Sequence, residues 1–155
     1  MSDEFDAMVS AAQLLDRCRS AALATLDEDG APFASLVSVA AETGRFPILL
    51  LSDLAVHTRN IQSRPQASLL FVEDATGAAD PLVRERLTLV GHVRRCGDQP
   101  AASAIFLNDH PYAAVYAGFA DFAFYRLICT GAHLVAGFGR IARLDVEQVF
   151  PQRDG

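Results

Sequence analysis

Residues 20–40 read SAALATLDEDGAPFASLVSVA, and this stretch decides the predicted fold. Two short apolar runs, Ser20–Leu26 and Pro32–Ala40, flank the string Asp-Glu-Asp-Gly at residues 27–30. Asp-Gly supplies the positive φ angles that a tight turn requires. The stretch is therefore predicted to form a β-hairpin.

Apolar runs of similar length recur along the chain and are separated by turn-forming residues. They predict further strands at residues 46–51, 66–72, 85–95, 121–128 and 133 to about 140. Apolar residues at helical spacing predict helices at residues 5–19, from just after Ser52-Asp53 to about 63, at 100–108 and at 111–116. Several hairpin-joined strands with few helices favour a mainly β fold, an antiparallel barrel with peripheral helices.

The length of 155 residues suits one domain that builds its core without disulfides or metal. We expect a single domain over residues 1–155, with a helix at about 5–19, a barrel at about 20–143 and a short C-terminal tail. The cysteines Cys18, Cys96 and Cys129 are far apart, and no Cys/His pair has zinc spacing. The sequence therefore predicts neither a disulfide framework nor a metal site.

The charge balance limits the classes of partner. The net charge is −6, whereas a nucleic-acid partner requires a basic face. No apolar run approaches the roughly 18 residues of a membrane span, and the N-terminus is acidic rather than signal-like. We expect a cytoplasmic protein without a nucleic-acid or membrane partner.

All 13 basic residues are arginines, because the chain contains no lysine. Schiff-base chemistry through lysine and a P-loop lysine are both excluded. A bound phosphate or carboxylate must therefore be held by Arg, His, hydroxyls or backbone N–H groups, and the planar fork of arginine suits such ligands.

Residues 50–61, LLSDLAVHTRNI, carry the clearest functional signal. An apolar run ends in Ser52-Asp53, a pair that commonly caps a helix, so the first helical N–H groups are expected to point outward. These groups and the helix dipole favour an anion, most often a phosphate. His57, Thr58 and Arg59 follow within the next turn and can add donors and positive charge. The alternative is an ordinary capped helix whose polar residues face water.

Other polar and aromatic residues are expected to have structural roles. His110 precedes Pro111 in a loop and is expected to be solvated. Packing in the core or in an interface is expected for Phe119, Phe122, Phe124 and Tyr125.

Four strings occur in an order that resembles one superfamily. DEDGAPFASLVSV (27–39) is similar to a flavin-side hairpin, and LLLSDLAVHTRNIQSRPQASLLF (49–71) to a phosphate-binding strand–helix–strand unit. RERLTLVGHV (84–93) is similar to the long strand that follows, and GRIARL (139–144) to an arginine-bearing C-terminal string. The chain thereby resembles the pyridoxamine 5′-phosphate oxidase-like FMN-binding split barrels, which are six-stranded, antiparallel and of Greek-key type. Within them, LAVHTRN, RLTLVG, GFADFAFYRL and AHLVAGFGR most resemble the haem-utilisation (HugZ-like) branch.

The resemblance implies an FMN site at defined positions. The residues beside the isoalloxazine would be Ser35, Leu36, Val37 and Ser38. The FMN phosphate would be held by Ser52, His57 and Thr58. Arg86 would lie near the flavin or its ribityl chain, and Arg140 and Arg143 near the flavin and the substrate.

Two positions depart from the oxidases. Val56-His57 stands where they usually have Arg-Lys, so phosphate binding would depend on a side chain whose charge changes with pH. Gly137 stands where they have a bulky aromatic over the flavin, which argues against oxidation of pyridoxamine phosphate. Members of the haem-utilisation branch usually carry a further C-terminal domain, which this chain is expected to lack.

Three functions are consistent with these residues and with the resemblance. The first is an FMN-dependent oxidoreductase acting on a small substrate, a homodimer with FMN at the subunit interface; no side chain is assigned as catalytic. The second is a haem-binding or haem-degrading protein in which His133, Arg140 or Arg143 contacts the haem propionates or iron. The third is a flavin-binding module without turnover.

Overall fold

The computed structural model describes residues 6–42, 44–74, 77 and 80–152. Two short 3₁₀ turns, at Pro81–Val83 and Pro111–Val115, accompany the regular elements. These elements are α1 (Ala7–Arg17), β1 (Ser20–Leu26), β2 (Pro32–Ala40), β3 (Ile48–Ser52), α2 (Val56–Ser63), β4 (Gln66–Val72), β5 (Arg86–Arg95), α3 (Gln99–Asp109), β6 (Phe122–Val135), β7 (Ile141–Leu144) and α4 (Val146–Val149).

Six of the strands close into an antiparallel barrel. Their order is β3-β2-β1-β4-β5-β6, and pairing of β3 with β6 closes the barrel. Strands β1–β3 and β4–β6 are two meanders, and α2 carries the chain from β3 to β4, which lies beside β1. A fourth strand that returns beside the first of three is the Greek-key arrangement. The predicted six-stranded antiparallel barrel is confirmed, and β7 extends the sheet beyond it at the end of β6.

The hairpin at residues 20–40 forms through the turn residues that predict it. One Asp27 carboxylate oxygen accepts hydrogen bonds from the N–H groups of Asp29 (2.9 Å) and Ala31 (2.8 Å). Gly30 adopts a φ of +80°, a conformation that glycine reaches without steric cost. The Asp side chain and the glycine together set the turn, and the turn sets the register of β1 and β2.

The last part of the barrel differs from the prediction. The two predicted strands at residues 121–128 and 133 to about 140 are wrong, because the chain forms one continuous strand, β6. Gly131 lies within that strand opposite Val90 of β5, so the ladder runs through the glycine where a turn was expected. The turn comes later, where Gly137 and Gly139 adopt positive φ, and it leads into β7, which was not predicted.

A β-bulge sets the register of β5 and β6. The register shifts between Val90 and Gly91, and a Cβ atom added at Gly91 would lie 1.9 Å from the Ile128 carbonyl oxygen. Only glycine allows this approach of the two backbones. On the far side of the bulge the register places Thr88 opposite His133.

Two apolar clusters hold the elements together. The larger one fills the barrel, where each of five strands contributes a fully buried leucine: Leu23, Leu49, Leu69, Leu89 and Leu127. The smaller one lies between α3 and the outside of β3 and β6, and its largest members are Phe106, Ile48 and Phe124. The second cluster fixes α3 against the barrel.

The N-terminal helix is close to its predicted position. The Asp6 side chain caps it by accepting hydrogen bonds from the N–H groups of Met8 and Val9. Leu14 and Leu15 on its buried face pack on the barrel core. None of the described helices combines the length and apolar character that a membrane crossing requires.

Candidate functional site

A groove of about 330 Å³ contains most of the residues predicted to bind a cofactor. It lies between β2, the end of β3, the start of α2, α3 and the start of β6. The residues that line it are Leu36, Val37, Ser38, Leu50, Ser52, Ala55, His57, Phe106, Tyr116 and Phe122. A larger groove of about 480 Å³ lies between the end of α1 and the β4–β5 edge, but no predicted site residue lines it. We therefore take the first as the candidate site and call it the barrel groove.

His57 and Ser35 meet at one end of the barrel groove. The Ser35 hydroxyl lies 3.1 Å from His57 Nδ1, which brings β2 and α2 together at this point. His57 is half-buried, and burial lowers its pKa below the ordinary value. The side chain that stands in place of a permanent cation is therefore a neutral imidazole at neutral pH in the free protein.

Ser52 lies in the barrel groove but does not cap α2 as predicted. Its hydroxyl donates to the Asp121 carboxylate at 2.7 Å and accepts from the Leu54 N–H at 3.1 Å. The Asp53 N–H donates to the Asp121 carbonyl oxygen at 2.7 Å. The Ser/Asp pair therefore ties the end of β3 to the residue before β6, and it places a carboxylate beside the proposed phosphate position.

The N-terminus of α2 has no side-chain cap. Ala55 is the N-cap residue and supplies no side-chain hydrogen bond, so the first N–H groups of the helix are open to a ligand. Thr58, in the first turn, is 0% exposed, and its hydroxyl has no partner among the described residues. The backbone at this end is suited to an anion, whereas the Thr58 side chain faces inward.

A chain of hydrogen bonds borders the other end of the barrel groove. The Ser38 hydroxyl lies 3.3 Å from the Tyr112 hydroxyl, which lies 2.9 Å from His110 Nδ1. His110 Nε2 lies 2.9 Å from the Val39 carbonyl oxygen. His110 is only 2% exposed and stacks on Phe106 at 4.6 Å, so the expectation of a solvated histidine is wrong.

Aromatic rings form the outer wall of the barrel groove. Tyr116 and Phe122 have ring centroids 5.1 Å apart, and Phe119 follows at 6.4 Å from Phe122. Phe106 forms the inner side and contacts Phe124 at 5.6 Å. The wall offers flat apolar surface next to the hydroxyls of β2, a combination that suits a planar ligand with a polar edge.

The remaining predicted residues lie on a different surface, the outer face of the sheet. Register places six residues side by side across the strands, and we call them the outer row: Leu36, Ala22, Leu70, Thr88, His133 and Arg143. His133 and Arg143 are exposed at one end of the row, and Leu36 at the other end also lines the barrel groove.

Two predicted arginines lie near the outer row. Arg86, at the start of β5, donates to the carbonyl oxygens of Leu82 (2.8 Å) and Arg84 (3.1 Å). Arg140 lies in the turn between β6 and β7, where its carbonyl oxygen accepts from the Ala136 N–H at 2.8 Å. Neither residue lines the barrel groove of its own chain.

A sequence-family model described as "CREG, beta-barrel" matches residues 3–150. The chain belongs to the CREG β-barrel family. Among solved structures, a heme-binding protein from Mycobacterium smegmatis resembles this CREG β-barrel with a TM-score of 0.88 and 31% identity, covering 96% of this chain and 61% of that one. A protein of the pyridoxinephosphate oxidase family from Clostridium acetobutylicum shares the fold with a TM-score of 0.71 at 12% identity, over 92% of this chain and 96% of that one. The fold expected from the resemblance to oxidase-like split barrels is thus confirmed.

Two curated relatives of this CREG β-barrel are named as heme oxygenases. The chloroplastic non-canonical heme oxygenase HOZ of Arabidopsis thaliana is 36% identical over 104 residues, which are 64% of this chain and 30% of HOZ. Heme oxygenase HutZ of Vibrio cholerae is 40% identical over 67 residues, which are 43% of this chain and 37% of HutZ. The matched part is about a third of the length of these relatives. These findings agree with the resemblance to the haem-utilisation branch.

Proposed function

We propose that this protein binds haem on the outer face of its sheet, at the interface of a homodimer. The observation that carries the proposal is the outer row, in which His133 lies between Thr88 and Arg143 and an apolar floor continues through Leu70. Relatives named as heme oxygenases, and a similar structure named as a heme-binding protein, support the choice of ligand.

The chemistry of the row suits each part of haem. The exposed His133 imidazole can ligate iron, which haem supplies as the redox-active centre. Arg143 lies directly across from it and can bind a propionate through two parallel hydrogen bonds. Leu70 and Ala22 lie side by side on adjacent strands, which are about 4.8 Å apart, and can supply apolar contacts to the macrocycle.

The homodimer is proposed from the apolar character of the same face. Side chains of four strands are exposed there without a described partner, namely Leu36, Leu70, Val90 and Ile141. Several exposed apolar side chains on one face of a sheet favour an interaction site in a soluble protein. A twofold copy would cover this surface and would bring a second His133 and Arg143 near the haem, since a twofold interface uses the same patch twice.

The test is a haem titration followed by the Soret band. Wild-type protein is expected to bind about one haem per chain, and His133→Ala is expected to shift the Soret band and weaken binding by about tenfold or more. Arg143→Ala is expected to weaken binding by a smaller factor without a change in the iron ligand. His92→Ala and Arg94→Ala are the matched controls, because His92 and Arg94 belong to the same barrel but lie outside the outer row. Titrations that are identical for all variants would remove the assignment.

A second candidate function, FMN binding in the barrel groove, is favoured by the uncapped start of α2. The open N–H groups there can bind a phosphate, and the Ser38 edge and the aromatic wall can hold a planar ring. Bound FMN would supply hydride or electron transfer, and the residues named here would bind and orient it. The neutral His57 imidazole and the Ser52 hydroxyl would add hydrogen bonds but no positive charge beside the Asp121 carboxylate, so the backbone N–H groups would make the largest contribution to phosphate binding.

Comparison of FMN with riboflavin isolates the phosphate contribution. We expect FMN to bind more tightly than riboflavin in the wild type, and the difference to shrink in the double variant Ser52→Ala/His57→Ala. Ser63→Ala, at the exposed C-terminal end of α2, is the control. Equal affinities of the wild type for FMN and riboflavin would count against a phosphate site.

A further inference from the structure

The hydrogen-bond chain from Ser38 to Val39 has a fixed direction. A carbonyl oxygen only accepts, so His110 Nε2 must carry a proton to bond the Val39 oxygen at 2.9 Å. In a neutral imidazole Nδ1 is then an acceptor, and the Tyr112 hydroxyl must donate to it at 2.9 Å. The Tyr112 oxygen is left to accept the Ser38 proton at 3.3 Å.

The direction of this chain determines what Ser38 offers to the barrel groove. Its hydroxyl proton is committed to Tyr112, so the lone pairs of its oxygen are what remain for a ligand. A group that only accepts hydrogen bonds, such as a carboxylate or a phosphate, gains nothing at this position. A ring N–H, in contrast, can donate a hydrogen bond to the Ser38 oxygen. The neighbouring Tyr116 and Phe122 give such a ring an apolar surface to pack against.

We propose that His110 and Tyr112 are positioning residues that hold the Ser38 hydroxyl as a hydrogen-bond acceptor, so that the barrel groove selects a planar heterocycle bearing a ring imide N–H. The inference rests on the second candidate function and names the polar edge by which the ring is recognised. Neither residue needs to touch the ligand. His110 is buried and acts through Tyr112, and Tyr112 acts through Ser38.

The inference is tested with riboflavin and 3-methylriboflavin, in which the ring imide nitrogen carries a proton and a methyl group respectively. At pH 8 wild-type protein is expected to bind riboflavin about tenfold more tightly, the equivalent of one hydrogen bond. Tyr112→Phe frees the Ser38 proton to turn toward a ring carbonyl, so the preference is expected to fall to about twofold. The variant should fold normally, because Tyr112 is 57% exposed. Val115→Ala on the same 3₁₀ turn should keep the full preference.

A second measurement needs no ligand. Long-range ¹H–¹⁵N NMR at pH 8 is expected to show His110 protonated at Nε2 and unprotonated at Nδ1. A proton on Nδ1 would overturn the inference, as would equal binding of the two flavins by the wild type or a preference unchanged in Tyr112→Phe. Absence of riboflavin binding, or riboflavin binding without preference over its 3-methyl derivative, would overturn this inference alone. Absence of FMN binding as well would also overturn the FMN candidate.

Discussion

The barrel groove and the outer row are built in different ways from one sheet. The groove is assembled from side chains of five elements that reach one another through hydrogen bonds such as Ser52 to Asp121 and Ser38 to Tyr112. The outer row needs no such contacts, because strand register alone puts its members side by side. The arrangement of the groove should therefore depend on single side-chain contacts, whereas the alignment of the row should depend on the backbone register.

The largest effect is expected from Gly91→Ala, which disturbs the β-bulge that sets the register of the outer row. The new Cβ would lie 1.9 Å from the Ile128 carbonyl oxygen, so β5 and β6 must separate. We expect a loss of about 3 kcal/mol in the free energy of unfolding, measured by urea denaturation. Gly131→Ala is the matched control, since its Cβ would have only Val90 Cβ nearby, at 3.9 Å. Equal losses in both variants would show that the bulge does not require glycine.

Leu36→Glu is expected to have the next largest effect, because Leu36 belongs to both regions. The side chain is 77% exposed in the single chain, and burial of a leucine in an interface is worth about 2 kcal/mol per copy. A charge there should weaken the proposed dimer by at least about tenfold in sedimentation velocity experiments. Val115→Glu is matched in exposure, at 77%, but lies on the 3₁₀ turn rather than on the sheet, and it should leave the association unchanged. A monomeric wild type at high concentration would contradict the dimer.

A moderate effect is expected from Ser52→Ala, which removes one tie of the groove. The Asp121 carboxylate loses a hydrogen bond of 2.7 Å but stays partly open to water, so we expect a loss of about 1 kcal/mol in stability. Thermal denaturation should show a lower Tm for this variant than for the wild type. The control Ser63→Ala, at an exposed position, should have almost the wild-type Tm. A wild-type Tm in Ser52→Ala would mean that the hydroxyl contributes no net stabilisation.

The smallest effect is expected from the titration of His57. Burial lowers its pKa in the folded protein, so the unfolded chain takes up this proton more readily. Its contribution to stability is therefore complete above the unfolded pKa of about 6.5 and is lost as the pH falls from there toward the folded pKa. His57→Gln should flatten the part of the stability–pH profile below that value. A profile that keeps its wild-type slope would place the acid sensitivity elsewhere.

The sequence predicts the fold better than the site. The hairpin at residues 20–40 depends on neighbouring residues and is found as predicted. The N-terminal helix lies within its predicted range, although its Asp6 cap was not predicted. The predicted break between two strands near Gly131 was wrong. A glycine inside a strand and a glycine in a turn look alike in sequence unless the strand's partner, here β5, is known. Strand β7 was missed because it forms only against the end of β6.

The predicted site is only partly recoverable from local pattern. Five of the residues expected to bind a cofactor line the barrel groove, but their partners come from distant sequence. Asp121 is 69 residues from Ser52, and Tyr112 is 74 residues from Ser38. The position of His110 before a proline predicts a solvated side chain. Its ring instead stacks on Phe106 and bonds the carbonyl oxygen of Val39, which is 71 residues earlier in the sequence. Such pairings are set by tertiary packing and carry no local signal.

Strand β6 joins the two surfaces, since Phe122 at its start lines the barrel groove and His133 near its end belongs to the outer row. At residues 125–126 and 132–135 it is paired with neighbours on both sides, so its amides there should be among the slowest to exchange with solvent. Both proposed ligand surfaces thus rest on a part of the molecule that is expected to open rarely. A lineage that acquires a new ligand preference on this barrel would therefore do so by replacing side chains on an unmoved backbone.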